Sequence, residues 1–164
     1  MRIRVLDIVE GTSVDGPGLR TSIYLAGCYH RCPGCHNPES WAMDGGREAT
    51  VDELLDTIRY NDFNVTLSGG DPLYHPKEVA ELCRRIKQEL GKTVWCFTGF
   101  TWDEIQADPA LQLPLQWIDV VVEGRFIEAL RDTQLRFRGS PNQRIVDVAA
   151  SKGKAIPVEL TEYY

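Results

Sequence analysis

Three cysteines fall within eight residues, Cys28, Cys32 and Cys35 of CYHRCPGC. Thiolates are soft ligands, suited to iron-sulfur clusters and to zinc. A four-iron cubane normally takes four of them, so three local ligands leave one iron unclaimed. The zinc alternative would add a histidine, because three cysteines and one imidazole make an acceptable tetrahedral site. Cys35 and His36 are adjacent, however, and could not easily both reach one small ion, while His30 lies between two ligands and is no better placed. The odd total of five cysteines fits metal binding in a reducing compartment better than a disulfide framework. Cys83 belongs to the apolar stripe Val79, Leu82, Cys83, Ile86, Leu90, and Cys96 to the strand-like TVWCFT; both read as core filling.

A second chemical feature is LSGGDPL, Leu67 to Leu73. Glycines at a strand end let a ligand approach the backbone and permit dihedrals that side chains forbid, while Pro72 stiffens the exit. Asp71 is thereby presented at the rim. Thr98 ends the next strand pattern and is either a ligand contact or an ordinary strand residue.

The elements that must position these groups alternate along the chain. A β-rich run from Leu19 to Gly27 leads into the cysteine loop. TVDELLDTIRY predicts a helix from Thr50 to Tyr60, with Thr50 as N-cap and Glu53 completing a capping box. A strand over Phe63 to Ser68 follows, then a helix from Pro76 to Leu90 closed by Gly91, then TVWCFT closed by Gly99. A short helix at Trp102 to Ala107 precedes the strand WIDVVVEG, and beyond Phe126 the pattern weakens. Strands separated by helices imply βαβ units with parallel pairing, which gathers the cysteine loop, SGGDP and TGF at one rim. The expected fold is α/β. A complete eight-unit barrel needs ~250 residues, so a single domain spanning residues 1–164 builds a partial, TIM-like barrel open on one side.

The cysteine spacing resembles that of the radical S-adenosylmethionine superfamily, in which the open iron is chelated by the amine and carboxylate of S-adenosylmethionine. Ser68, Gly69, Gly70 and Asp71 are similar to the superfamily's glycine-glycine-acid segment, which holds the methionine end through strand-end carbonyls or the carboxylate. DGPGLR (Asp15 to Arg20) and HNPESW (His36 to Trp41) resemble signatures of glycyl-radical activating enzymes. The aspartate at position 71, followed by Pro72 and Leu73, with DVVVEGRFIEALRD and LRFRGSPNQR toward the end, resembles the activases of anaerobic ribonucleoside-triphosphate reductases. One departure is Gly34, where much of the superfamily has an aromatic residue near the adenine; the resemblance then assigns adenine contacts to the backbone of Gly34 and Cys35 and to the ring of His36.

The resemblance implies a 4Fe-4S cluster on Cys28, Cys32 and Cys35, with bound S-adenosylmethionine cleaved by one electron to methionine and a 5'-deoxyadenosyl radical. That radical would take a Cα hydrogen from a glycine of the reductase large subunit, with reduced flavodoxin or a similar protein as electron donor. No conventional catalytic side chain is implied, since the cofactor carries the hard chemistry. The rivals are an activase of another glycyl-radical enzyme, of the formate lyase or decarboxylase type, and a non-catalytic zinc module. The net charge of −6 argues against a nucleic-acid partner. No apolar run reaches the ~18 residues of a membrane span and no signal peptide is seen, so a cytoplasmic protein is expected. Within the acidic whole, Arg125, Arg131, Arg136, Arg138, Arg144, Lys152 and Lys154 outnumber the neighbouring acids, as a solvated surface or a docking site for an acidic partner, with Arg136, Arg138 and Arg144 the docking candidates.

Overall fold

A computed structural model describes residues 1–164. Seven strands form one mixed sheet: β1 (Arg2–Thr12), β2 (Arg20–Leu25), β3 (Arg47–Thr50), β4 (Asn64–Gly69), β5 (Val94–Phe97), β6 (Val120–Glu123) and β7 (Arg144–Asp147), in the order β3-β1-β2-β4-β5-β6-β7. The central β2, β4, β5 and β6 run parallel, as the alternating pattern requires. The flanks do not. β1 is antiparallel to both β2 and β3, and β7 is antiparallel to β6. β1 carries a readable signal, since the buried Ile3 and Val5 alternate with Arg2 and Arg4. β3 and β7 are four residues each, too short for periodicity to mark them.

The helices are α1 (Val51–Asn61), α2 (Pro76–Arg85), α3 (Trp102–Ala107), α4 (Pro109–Gln112) and α5 (Val148–Ser151). α1 buries Val51, Leu54, Leu55 and Ile58, the i, i+3, i+4, i+7 stripe of an amphipathic helix. Its N-cap is Thr50, which accepts from the Glu53 amide at 3.1 Å. The reciprocal half of the expected capping box is missing, because the Glu53 carboxylate pairs with Arg47 instead. A complete box occurs at α3, between Thr101 and Glu104. α2 ends at Arg85, but its chain continues as a π-helical turn, Ile86–Leu90, to a left-handed Gly91. No helix is long and apolar enough to cross a membrane.

Alternation along the strands divides two clusters. Ile23, Leu25, Val65, Leu67, Val94, Cys96 and Val121 pack with the helices in the main core, where each fully buried aliphatic side chain contributes ~1.5–3 kcal/mol. Trp95, Val120, Val122 and Ile145 form a smaller cluster, covered by Phe137, Leu160 and Tyr163 from the C-terminal part of the chain. The parallel register, Leu25 opposite Gly69 and Leu67 opposite Cys96, brings the loops after β2, β4, β5 and β6 to one rim.

Candidate active site

A cavity of about 530 Å³ opens at that rim, lined by Cys28, Cys32, Cys35, the Ser68–Asp71 turn and Thr98 among others. The glycine pair sets its floor. Gly69 has φ +101°, and a Cβ there would come within 2.4 Å of the Leu25 amide nitrogen; a Cβ at Gly70 would come within 2.5 Å of the Gly27 carbonyl oxygen. Only glycine permits so close an approach. The Gly70 amide donates to Leu25 O at 2.7 Å and the Asp71 amide to Gly27 O at 2.8 Å, so the turn after β4 is joined to the chain entering the cysteine loop.

All five cysteines are free thiols. Burial pushes the Cys28 thiol up to about 11, against a lowering contribution from the His30 backbone N–H, and burial also raises Cys32. A cationic cluster bound between these desolvated thiols would favour their ionisation. No three His, Cys, Asp or Glu side chains gather round a single point as a mononuclear ion demands. The histidines of the zinc alternative are engaged elsewhere: His36 packs against Phe126 with ring centroids 5.1 Å apart, and His30 bonds to Asp71. Three soft donors around a roomy cavity fit a multinuclear cluster. Cys83 and Cys96 are wholly buried in the main core, and burial raises both thiols.

The carboxylate of Asp71 is only 1% exposed and fully engaged. Oδ2 accepts from His30 Nε2 at 2.6 Å, Thr98 Oγ1 at 2.9 Å and the Gly99 amide at 2.9 Å, while Oδ1 accepts from the Leu73 amide at 3.0 Å. Ser68, Gly69, Gly70 and Thr98 line the cavity beside it, as do Cys35 and His36. Gly34 is exposed with φ +73°, and the Glu128 side chain lies over it.

Sequence reasoning assigned no roles to several other wall residues. Asp15, from DGPGLR, accepts a hydrogen bond from the Tyr24 hydroxyl. Arg20 of the same motif is buried beneath the wall rather than part of it, donating to Thr66 Oγ1 at 2.9 Å and Val65 O at 2.8 Å over the Trp95 ring; desolvation lowers it to about 10. The segment after β6 contributes Phe126, Leu135, Phe137 and Gln143, beside the docking candidate Arg138. Of the docking candidates, Arg144 is occupied by the buried Glu123 at 2.7 Å, and Arg138 stacks on Tyr164 at 3.9 Å; Arg136 stays exposed. The signal for these residues lay in the quoted motifs, but which wall each would join depends on chain with no periodicity.

Residues 14–146 match the family described as a 4Fe-4S single cluster domain. The anaerobic ribonucleoside-triphosphate reductase-activating protein of Escherichia coli K12 is 40% identical over 141 residues, covering 79% of this chain and 89% of the relative. The protein of the same name from Vibrio cholerae is 39% identical over 143 residues, covering 80% and 90%. That of enterobacteria phage T4 is 34% identical over 139 residues, covering 80% and 86%. Among solved structures, QueE from Escherichia coli superposes with a TM-score of 0.51 at 17% identity, covering 62% of this chain and 54% of QueE, a likeness of fold. By these matches the chain belongs to the family of anaerobic ribonucleoside-triphosphate reductase-activating proteins, built on a 4Fe-4S single cluster domain.

Proposed function

We propose that this chain activates an anaerobic ribonucleoside-triphosphate reductase by reductive cleavage of S-adenosylmethionine. The observation that carries the reading is the meeting of three free cluster-type thiols with a glycine strand end in one open cavity. Cys28, Cys32 and Cys35 hold the 4Fe-4S cluster. The cluster, when bound, would supply the one electron that breaks the carbon–sulfur bond of S-adenosylmethionine, giving methionine and a 5'-deoxyadenosyl radical able to take a Cα hydrogen from a glycine of the reductase large subunit.

The chain's own residues bind and orient. Strand-end carbonyls at Ser68, Gly69 and Gly70 take the methionine ammonium, while Asp71, with its oxygens already engaged, holds that turn in place. The backbone at Gly34 and Cys35 and the ring of His36 form the adenine side, where the Phe126 contact steadies the imidazole. Thr98 contributes by fixing Asp71. The seven-stranded sheet acts as one domain, a partial barrel whose open side admits a loop of the large subunit. The electron comes from reduced flavodoxin or a similar donor in the cytoplasm.

The test combines the anaerobically reconstituted, reduced protein with S-adenosylmethionine and the large subunit of the reductase from the same organism. A glycyl-radical signal by electron paramagnetic resonance is expected. Release of methionine with no such signal would overturn the assignment of the partner.

A further inference from the structure

His30 stands between two cluster cysteines, yet it is the most enclosed ring of the loop, with a side chain 3% exposed. Its Nε2 donates to Asp71 Oδ2 at 2.6 Å. Phe100 meets it edge-on at 4.6 Å between centroids, and Tyr74 lies at 5.1 Å. Gly99 presses so close that a Cβ there would fall 2.6 Å from His30 Cδ2. The ring is therefore a peg held between the chain after β4, which carries Asp71 and Tyr74, and the chain after β5, which carries Gly99 and Phe100.

The main chain does little to place this part of the loop. Gly27 and Cys28 donate to Ser40 O and Trp41 O, and Cys35 donates to Cys32 O, but Tyr29, His30 and Arg31 make no backbone–backbone hydrogen bond. The position of the stretch between Cys28 and Cys32 thus falls to side chains. Along the chain His30 is two residues from each of Cys28 and Cys32. One residue accordingly ties the stretch between two cluster ligands to the cofactor-binding turn, through its ring.

We propose that His30 is a positioning residue, anchored on Asp71, that fixes the cysteine loop against the glycine turn so that the cluster and the methionine end of the cofactor share one frame. This rests on the function proposed above. His30 touches neither reacting atom; it acts through Cys28 on one side and Asp71 on the other. A hydrogen bond to a carboxylate is worth enough that losing it changes cofactor affinity by roughly 10- to 150-fold where geometry depends on it.

The experiment compares the unsubstituted protein with His30→Phe, which keeps a ring but no donor, and His30→Gln, which keeps an N–H donor. Each is reconstituted anaerobically, assayed for iron and sulfide, reduced, and titrated with S-adenosylmethionine while the electron paramagnetic resonance of the cluster is followed. The expected result is iron content close to the parent's in both variants, with cofactor response weakened at least about 10-fold in His30→Phe and within about threefold of the parent in His30→Gln. A His30→Phe protein that titrates like the parent would overturn the proposal. So would a His30→Gln protein as impaired as His30→Phe, or a loss of iron in His30→Phe as complete as in a cysteine variant, which would make the ring a support for the cluster alone. A parent protein that assembles a cluster but gives no response to S-adenosylmethionine would instead overturn the proposed function, and this inference with it.

Discussion

The Glu128 side chain rests directly on the backbone of Gly34: a Cβ at position 34 would stand 2.6 Å from Glu128 Cδ. The segment after β6 has thus taken the space over the cysteine loop that an aromatic residue would need. Gly34→Ala meets two obstacles, the left-handed φ of +73° and the carboxylate above it. The dihedral alone costs about 1–2 kcal/mol. Glu128→Ala in the same background should recover only the steric part. Chemical denaturation of the metal-free proteins measures both.

Cys28→Ala, Cys32→Ala and Cys35→Ala should each abolish stable iron binding and cofactor cleavage. Cys83→Ala and Cys96→Ala should keep the iron and lower stability by about 1 kcal/mol, the scale for loss of a small buried apolar group. Iron and sulfide analysis beside thermal melts distinguishes the two sets. Loss of the cluster from either core variant would show that the ligand set is not the three loop cysteines.

Asp71→Ala strands the Thr98 hydroxyl and the Gly99 and Leu73 amides, all of which now donate to one carboxylate. Buried donors left unpaired cost about 1–3 kcal/mol each, partly offset where water enters. The variant should therefore lose about 2–4 kcal/mol of stability even without metal. Asp71→Asn keeps one acceptor oxygen and should fall between. An Asp71→Ala protein as stable as the parent would show that these bonds are dispensable.

Arg144 and Arg136 should behave differently despite their proximity in sequence. Removing Arg144 leaves the buried Glu123 carboxylate without its cation and should destabilise the fold by about 1–3 kcal/mol. Arg136 lies exposed over the rings of Phe137 and Tyr163, so Arg136→Ala should cost under about 1 kcal/mol. Its effect should appear as lower glycyl-radical yield with the reductase at unchanged cofactor cleavage. Equal loss of both activities would count against docking through Arg136.

The hydrogen bonds from Arg125 hold the Glu104 carboxyl down to about 2. In the unfolded chain the same group takes up its proton near 4.5. The folded state therefore gains from the pair above that value and loses the gain as pH falls from 4.5 toward 2. Both side chains are substantially exposed, so screening keeps the contribution under about 1 kcal/mol. Glu104→Gln should melt below the parent at pH 7, and the difference should shrink as the pH drops below 4.

The four parallel strands were readable because each has an apolar run ended by glycine or an acid, and the helices because α1 and α2 keep a clean stripe. β3 and β7 were not, since four residues flanked by polar chain carry no period. The cysteine loop declared its chemistry through spacing alone. What spacing could not reveal is that His30, lodged between ligands, turns to Asp71, or that Thr98 reaches the same oxygen. Those contacts depend on the register of β2, β4 and β5, which brings together residues 27 and 41 positions apart. The sequence placed Asp71 at the rim, and the structure adds that its carboxylate is the junction of three loops. The docking arginines were read from charge count, and charge count does not disclose that Arg144 faces a buried acid.

The chain from Gly124 to Gln143 covers part of the cavity with only a single 3-10 turn, Glu128–Leu130, of regular structure. Much of its hydrogen bonding runs through side chains: Gln143 accepts from the Gly139 and Ser140 amides and donates to Gly124 O, Asn142 donates to Arg125 O, and Ser140 accepts from the Ile127 amide. Such a segment can detach without breaking any sheet ladder, so its opening free energy is smaller than that of the whole molecule. Its amides should exchange with deuterium through local opening, while those of Leu67, Cys96 and Val121 in the central strands wait for global unfolding. On that expectation the wall on this side of the cavity would behave as a separate cooperative unit, parting on a timescale the sheet does not share.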